Sequence, residues 1–177
     1  MKRKFRIDFG KANDHSIDYL LGILEDARVT TLQRIENMSV EELDWQYSEG
    51  WNTIGVLLSH IIGIEHYFRI YYVEGRTFTK EEHDRWMSGV KMGTYIPQLI
   101  CKKPIETYIE ELAASRQLLL TSLAHTSFED FSKRIDDYDA VTGCNLAWVL
   151  YHFAEDEVHH RGQISILRKL YKEQIWE

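Results

Sequence analysis

The chemistry-bearing residues of this chain concentrate in one late stretch, Tyr151-His-Phe-Ala-Glu-Asp-Glu-Val-His-His-Arg-Gly-Gln163. Read at helical spacing, a stripe runs Leu146, Val149, Phe153, Asp156, His160, Gln163 or Ile164, Leu167, and Leu170 or Tyr171, in steps of three and four. The stripe is apolar at both ends and polar in the middle. A carboxylate and an imidazole at i and i+4 point the same way, into an expected core, where each needs a partner. His60 repeats the signal earlier, on a stripe with Leu57, Ile64, Tyr67 or Phe68, and Tyr71.

Two imidazoles and a carboxylate make the three-ligand set of an open metal site, with further positions left for water or substrate. The same residues also suit a buried His–Asp–His hydrogen-bond network, and spacing alone leaves both readings standing. Around them, His152 lies one turn before Asp156 as a lid or supporting donor. Glu155 and His159 form a second i,i+4 pair, rotated by about 100°. With Tyr67, His152 and Glu155 are the candidates for acid–base work beside a metal. Glu65 and His66 fall off the His60 stripe and read as rim or surface residues. Gly162, in mid-helix, costs about 1 kcal/mol against alanine and implies a close backbone approach. Arg161 reads as an outward salt-bridge or interface residue.

The elements that must carry these residues are helical. The chain has 177 residues, 44% of them hydrophobic, with two prolines and ten glycines, and its apolar residues recur mostly at three and four. That predicts one all-α domain over residues 1–177. A first helix is capped at Asn13-Asp14 and runs to about Asn37; Ser39 with Glu42 three residues on signals a short capped turn. A second helix opens at Asn52 or Thr53 and continues to about Glu74, with Gly75 as its stop. Residues 75–103 form a long crossover with a short helix at Lys80–Ser88 and stops around Gly89 and Gly93; Trp86, Met87, Met92 and Tyr95 give it apolar weight. A third helix starts at Pro104 and ends near Ala124. Residues 126–143, through Phe128, Phe131, Ile135, Tyr138 and Thr142-Gly143, read as a loop or hairpin. A fourth helix spans about Asn145 to Gln174. Together these describe a four-helix bundle with its site between facing helices.

Twenty-eight acidic against 21 basic residues give a net charge of −7, which opposes binding to nucleic acid. No apolar run approaches the length of a membrane span, and the basic start lacks an apolar leader core, so a soluble cytoplasmic protein is expected. Cys101 and Cys144 lack metal-type spacing and read as free thiols.

The segment Thr53-Ile-Gly-Val-Leu-Leu-Ser-His60-Ile-Ile-Gly-Ile-Glu65, with the later His152, Glu155 and Glu157-Val-His159-His160-Arg161-Gly162-Gln163, resembles the DinB/YfiT-like family of bacterial proteins over essentially the whole chain. The resemblance implies a four-helix bundle with an up-down-down-up arrangement, often dimeric, that holds nickel or zinc through three histidines. Characterised members are largely metal-dependent transferases acting with low-molecular-weight thiols. Carried over, the ligands fall on His60, Asp156 and His160, and Asp156 departs from the family's usual histidine. A carboxylate there favours a harder or weaker site, in which manganese or iron joins zinc and nickel as a fitting ion. Two functions are therefore expected as alternatives: a metal-dependent enzyme, either a thiol transferase or a hydrolase using metal-bound water, and a non-catalytic, metal-stabilised dimerisation or partner-binding protein of a stress response.

Overall fold

A computed structural model describes residues 15–93, 96–132, 134–135 and 144–175. Among them the regular structure is helical apart from one antiparallel ladder of two residues on each strand. Helix α1 spans His15–Ile35, α2 Val40–Asp44, and α3 Ile54–Phe68, which continues into a π-helical turn at Arg69–Val73. The crossover carries α4, Lys80–Lys91, and α5, Ile96–Leu99. Helix α6 spans Ile105–Leu123, α7 Phe128–Ser132 and α8 Leu146–Ile175. Strands β1, Arg134–Ile135, and β2, Cys144–Asn145, pair antiparallel with Ile135 opposite Cys144, so the 126–143 segment holds a short helix and the base of a hairpin. The expected cap at Asn13-Asp14, Tyr95, and the residues 136–143 of the loop lie outside the described residues. No helix among the described residues is long and apolar enough to cross a membrane.

Local chemistry sets the element ends. Ser39 and Thr53 accept the amides of Glu42 and Val56 (both 3.2 Å), satisfying donors that the first turns of α2 and α3 leave open. Thr79 and Glu82 form a reciprocal capping box at the start of α4. Asn145 Oδ1 takes the Trp148 amide at the head of α8 (2.9 Å). Gly89, expected to end the crossover helix, lies inside it, because α4 continues to Lys91.

The core divides into two apolar groups. One joins Ile35, Leu43, Ile54, Leu57, Leu58, Ile61, Tyr108, Leu112, Ile164 and Leu167. The other joins Leu24, Phe68, Leu119, Leu123, Phe131, Val149, Leu150 and Phe153. On each of the four long helices a buried charged residue falls between its two apolar segments: Arg28 on α1, Glu65 on α3, Arg116 on α6 and Glu157 on α8. The four close a ring. Arg28 reaches Glu65 at 3.0 Å and Glu157 at 2.8 Å; Arg116 reaches Glu65 at 2.6 Å and Glu157 at 3.0 Å. Ser115 Oγ also donates to Glu65, and the arginines donate to the carbonyls of Leu112 and Leu24. Four ions removed from water are tolerated here because every charge meets two opposite ones and the spare donors find carbonyl oxygens.

This ring corrects the expectation for Glu65. It is 2% exposed rather than at the rim, since the two guanidiniums supply what water would have. His66 is buried as well, its ring stacked on Trp86 of α4 at 3.7 Å between centroids and 11° between planes. Burial, with Arg69 nearby, pushes the His66 imidazole down to about 4, so it is neutral at physiological pH.

Candidate metal centre

Helix α3 is buried nearly all round, and its packing on α4 is unusually close. A Cβ on Gly89 would run into the Ser59 carbonyl, and one on Gly63 would meet Trp86 O and Val90 N at 3.1 Å. Absence of side chains at these two points lets the helices approach backbone to backbone. The consequence falls on His60: its Nδ1 lies 3.0 Å from the Gly89 carbonyl oxygen. That carbonyl is available because α4 ends two residues later, leaving its final C=O groups without amide partners in the helix.

The structure brings His60, Asp156 and His160 together. Their ligand atoms all lie within 4.8 Å of one another. His160 Nε2 is 3.3 Å from Asp156 Oδ1 and His60 Nε2 is 3.6 Å from Asp156 Oδ2. The two imidazoles cross edge to face with centroids 4.8 Å apart. Both histidines are buried, whereas the Asp156 side chain keeps 20% of its surface and forms the open edge of the group. The buried stripe of α8 is thus centred on Glu157, and Asp156 flanks it instead of sitting at its middle.

Hydrogen bonding fixes what the rings present. A backbone carbonyl only accepts, so His60 carries its proton on Nδ1. Gln163 Oε1 lies 2.7 Å from His160 Nδ1 while its Nε2 faces His159 Nε2 at 3.1 Å, an orientation that makes Nδ1 the donor of His160 also. In the neutral rings both Nε2 atoms are then lone pairs directed at a carboxylate. Three acceptors converge with no donor among them, an arrangement that calls for a cation. Positive charge is favoured at this point, and a proton held between an imidazole and the carboxylate supplies it as well as a metal ion does. Burial opposes charge on Asp156, but His160 and His60 outweigh it and hold the carboxyl well below the usual carboxylate range. Burial also disfavours charge on His160, yet Asp156 raises its imidazole above the ordinary value. Bonds of about 2.0–2.2 Å from a zinc-sized ion place neighbouring ligand atoms roughly 3–3.5 Å apart; the two Asp156 contacts are close to that spacing, whereas the 4.8 Å span of the whole group is wider and would have to contract around such an ion.

The remaining candidates stand elsewhere. His152 stacks on Trp148 and its Nδ1 contacts the exposed Glu155 carboxylate at 3.2 Å. The expected Glu155–His159 pair is replaced: Glu155 meets His152, and His159 meets Gln163. Tyr67 stacks on Tyr71 at 4.3 Å and meets Phe78 edge to face, two turns along α3 from His60, about 10 Å at 1.5 Å per residue. Arg161 turns onto α1 and donates to Thr30 Oγ1, so it braces α1 against α8 rather than facing out. Among the described residues Gly162 has nothing within 4 Å of where its Cβ would be, so the expected close approach is not made by any of them. Beside the group, a cavity of about 430 Å³ is lined by Trp51, Asn52, Leu57, Gln163 and Leu167. Gln163 both lines it and holds His160.

Sequence reasoning missed Arg28, Arg116, Glu157 and the Gly89 carbonyl. Glu157 did leave a trace, since Leu150, Phe153 and Ile164 lie seven, four and seven residues from it on one helical face.

A family model for the DinB superfamily matches residues 23–164, and the chain belongs to that superfamily. Its fold is similar to that of a Streptococcus pneumoniae protein whose crystal structure was determined by the Northeast Structural Genomics Consortium. The TM-score is 0.64 at 10% identity, with 92% of this chain and 93% of that one covered. Comparison with curated proteins gives no match.

Proposed function

We propose that the chain is a single DinB-type four-helix bundle that holds a divalent metal through His60, Asp156 and His160 and uses it as an enzyme. The up-down-down-up arrangement is supported by the two apolar groups. Helices α1 and α8 begin in the Leu24/Val149 group and end in the Ile35/Leu167 group, whereas α3 and α6 run the opposite way. The metal reading is carried by one observation: both Nδ1 atoms are held by carbonyl oxygens, so two Nε2 lone pairs and a carboxylate face one point.

Bound there, zinc, nickel, manganese or iron(II) would lower the pKa of a thiol or water nucleophile and leave coordination positions open for it. The chain's own part is positional. Gly89 and Gln163 orient the imidazoles, the buried walls exclude water from two sides, and half-buried Asp156 leaves one edge open to a small molecule. The Trp51–Leu57–Gln163 cavity is suited to the apolar part of an electrophile. Transfer to a low-molecular-weight thiol is the favoured reaction, and it belongs in the cytoplasm, where such thiols stay reduced; hydrolysis uses the same parts.

The test is elemental analysis of untagged protein and of the His60→Ala, Asp156→Ala and His160→Ala variants, followed by a thiol-transfer and ester screen. Near-stoichiometric metal in the wild type, lost in each variant together with turnover, is the expected result. A wild type that cannot be loaded with any of the four ions would leave a His–Asp–His network and remove the enzyme reading. Full loading with no turnover in either screen would favour the stabilising, partner-binding role.

A further inference from the structure

The surface of a chain with a net charge of −7 should be mostly anionic, and one place on this one is not. Helices α1 and α8 run in the same direction, and the groove between their C-terminal halves holds two adjoining depressions of about 310 and 360 Å³. The first is lined by Thr30, Gln33, Arg34 and Arg161. The second is lined by Arg34, Ser165, Arg168, Lys169, Lys172 and Glu173. Arg34 borders both. Five cations against one carboxylate thus border a groove that follows α8 from residue 161 to 172, about 16 Å at 1.5 Å per residue.

These cations differ in what they already hold. Arg168 is committed: it donates to the carbonyls of Arg34 (2.6 Å) and Glu36 (3.0 Å), closing the end of α1, and its Nε lies 3.1 Å from Glu42 Oε1. Arg161 uses Nη1 on Thr30 Oγ1 and the Ala27 carbonyl. Lys169 and Glu173 lie 3.6 Å apart and are both well exposed, a pairing that opens readily in water. Among the described residues, the Arg34 guanidinium and the Lys172 ammonium have neither a carboxylate nor a hydrogen-bond partner. Both stand in the last turns of their helices, where a cation offsets the macrodipole. Arg161 stands at the middle of α8, so the dipole does not account for the convergence of all three on one groove.

We propose that this groove binds a small anion bearing phosphate groups, with Arg34 as the contact shared by both depressions and Arg161 and Lys172 at the two ends. A guanidinium presents paired N–H donors that match phosphate oxygens, and an ammonium adds a point charge. A carboxylate offers two acceptor oxygens and a single charge, whereas a phosphate group offers three and close to two charges, which suits donors arriving from both helices. A long polyanion would meet the acidic surface beyond the groove, so a compact ligand is favoured over nucleic acid. The groove is separate from the metal group: Arg161 turns to α1, while His160 meets His60 of α3.

Isothermal titration of the full chain with pyrophosphate at low ionic strength tests it, with flotation on phosphatidic-acid vesicles in parallel to separate a soluble ligand from a lipid headgroup. Saturable pyrophosphate binding that weakens as salt is raised is the expected result. Arg34→Ala and Lys172→Ala should each weaken it about tenfold, with helical circular dichroism unchanged, because both side chains are exposed and unpaired. Arg34→Glu should abolish it. Arg85→Ala, which removes an exposed cation on α4, should leave it unchanged. Vesicle binding without pyrophosphate binding, lost in the Arg34 and Lys172 variants, would assign the same contacts to a lipid headgroup. Absence of binding to both probes overturns the inference. So does binding that survives Arg34→Glu, or that falls as much with Arg85→Ala, as diffuse attraction would. Pyrophosphate binding that disappears with Asp156→Ala would put the anion on the metal and overturn it as well.

Discussion

Replacing Glu65 by glutamine removes one charge from the buried ring and little volume. Arg116 and Arg28 then share a single carboxylate, Glu157, instead of two. Two independent arguments give the size of the effect. Removing one partner from a buried ion pair costs about 3–5 kcal/mol, because the opposite charge stays buried without compensation. The second is titration. Burial would raise the Glu65 carboxyl, but Arg116 and Arg28 together bring it down from 4.5 to about 2. A displacement of that size corresponds to about 3 kcal/mol at 1.36 kcal/mol per unit. The sign follows from the depressed value: the contribution is complete above about pH 4.5 and is lost as the pH falls through 4.5 toward 2. Glu65→Gln should therefore lower the stability at pH 7 by about 3–5 kcal/mol. In a domain of this size that means roughly 6–20 °C in Tm. Urea unfolding at pH 7 and pH 3.5 provides the assay, with the variant losing less stability between the two than the wild type. A loss below about 1 kcal/mol, or an unchanged difference between the two pH values, would refute the reasoning that the ring operates as a coupled, water-free ionic unit.

Other expectations follow from the same geometry. Gly89→Ala forces α4 away from the Ser59 carbonyl and breaks the His60 Nδ1 contact, so metal affinity should fall about 10–100-fold, read by chelator competition. An ion that binds the folded state alone should stabilise it by about 3 kcal/mol at a hundredfold excess over Kd, and EDTA should reverse the rise in Tm. Asp156→His should shift ion preference toward zinc and nickel over manganese, measured by competitive loading. Ser39→Ala removes the cap of α2 and should cost about 1 kcal/mol in urea unfolding.

What could be read from the chain in advance was local. Ser39, Thr53, Pro104 and the alternation of three and four placed the helices, since caps and periodicity depend on a few neighbouring residues. His60, Asp156 and His160 were legible because a polar side chain interrupting an apolar stripe leaves a mark in the sequence. Glu65 and Arg28 were not, for a charged residue ordinarily marks the surface and their justification lies far along the chain: 129 residues separate Arg28 from Glu157. The Gly89 carbonyl was beyond reach for another reason. A backbone oxygen has no residue type, and only the docking of α4 on α3 gives it a function.

The ring also acts as a ruler. Each carboxylate is held by guanidiniums from two different helices, so α3 and α8 cannot slide along one another without stretching several short charged contacts at once. His60 precedes Glu65 by five residues on α3, and His160 follows Glu157 by three on the oppositely running α8, which puts both imidazoles on the same side of the charged layer. A slip of one residue would shift one helix by about 1.5 Å and turn its side chains by about 100°, enough to part the two rings. The four ions thus keep the axial register on which the three ligands depend, and a protein of this family could exchange its ligands or its reaction while leaving that alignment untouched.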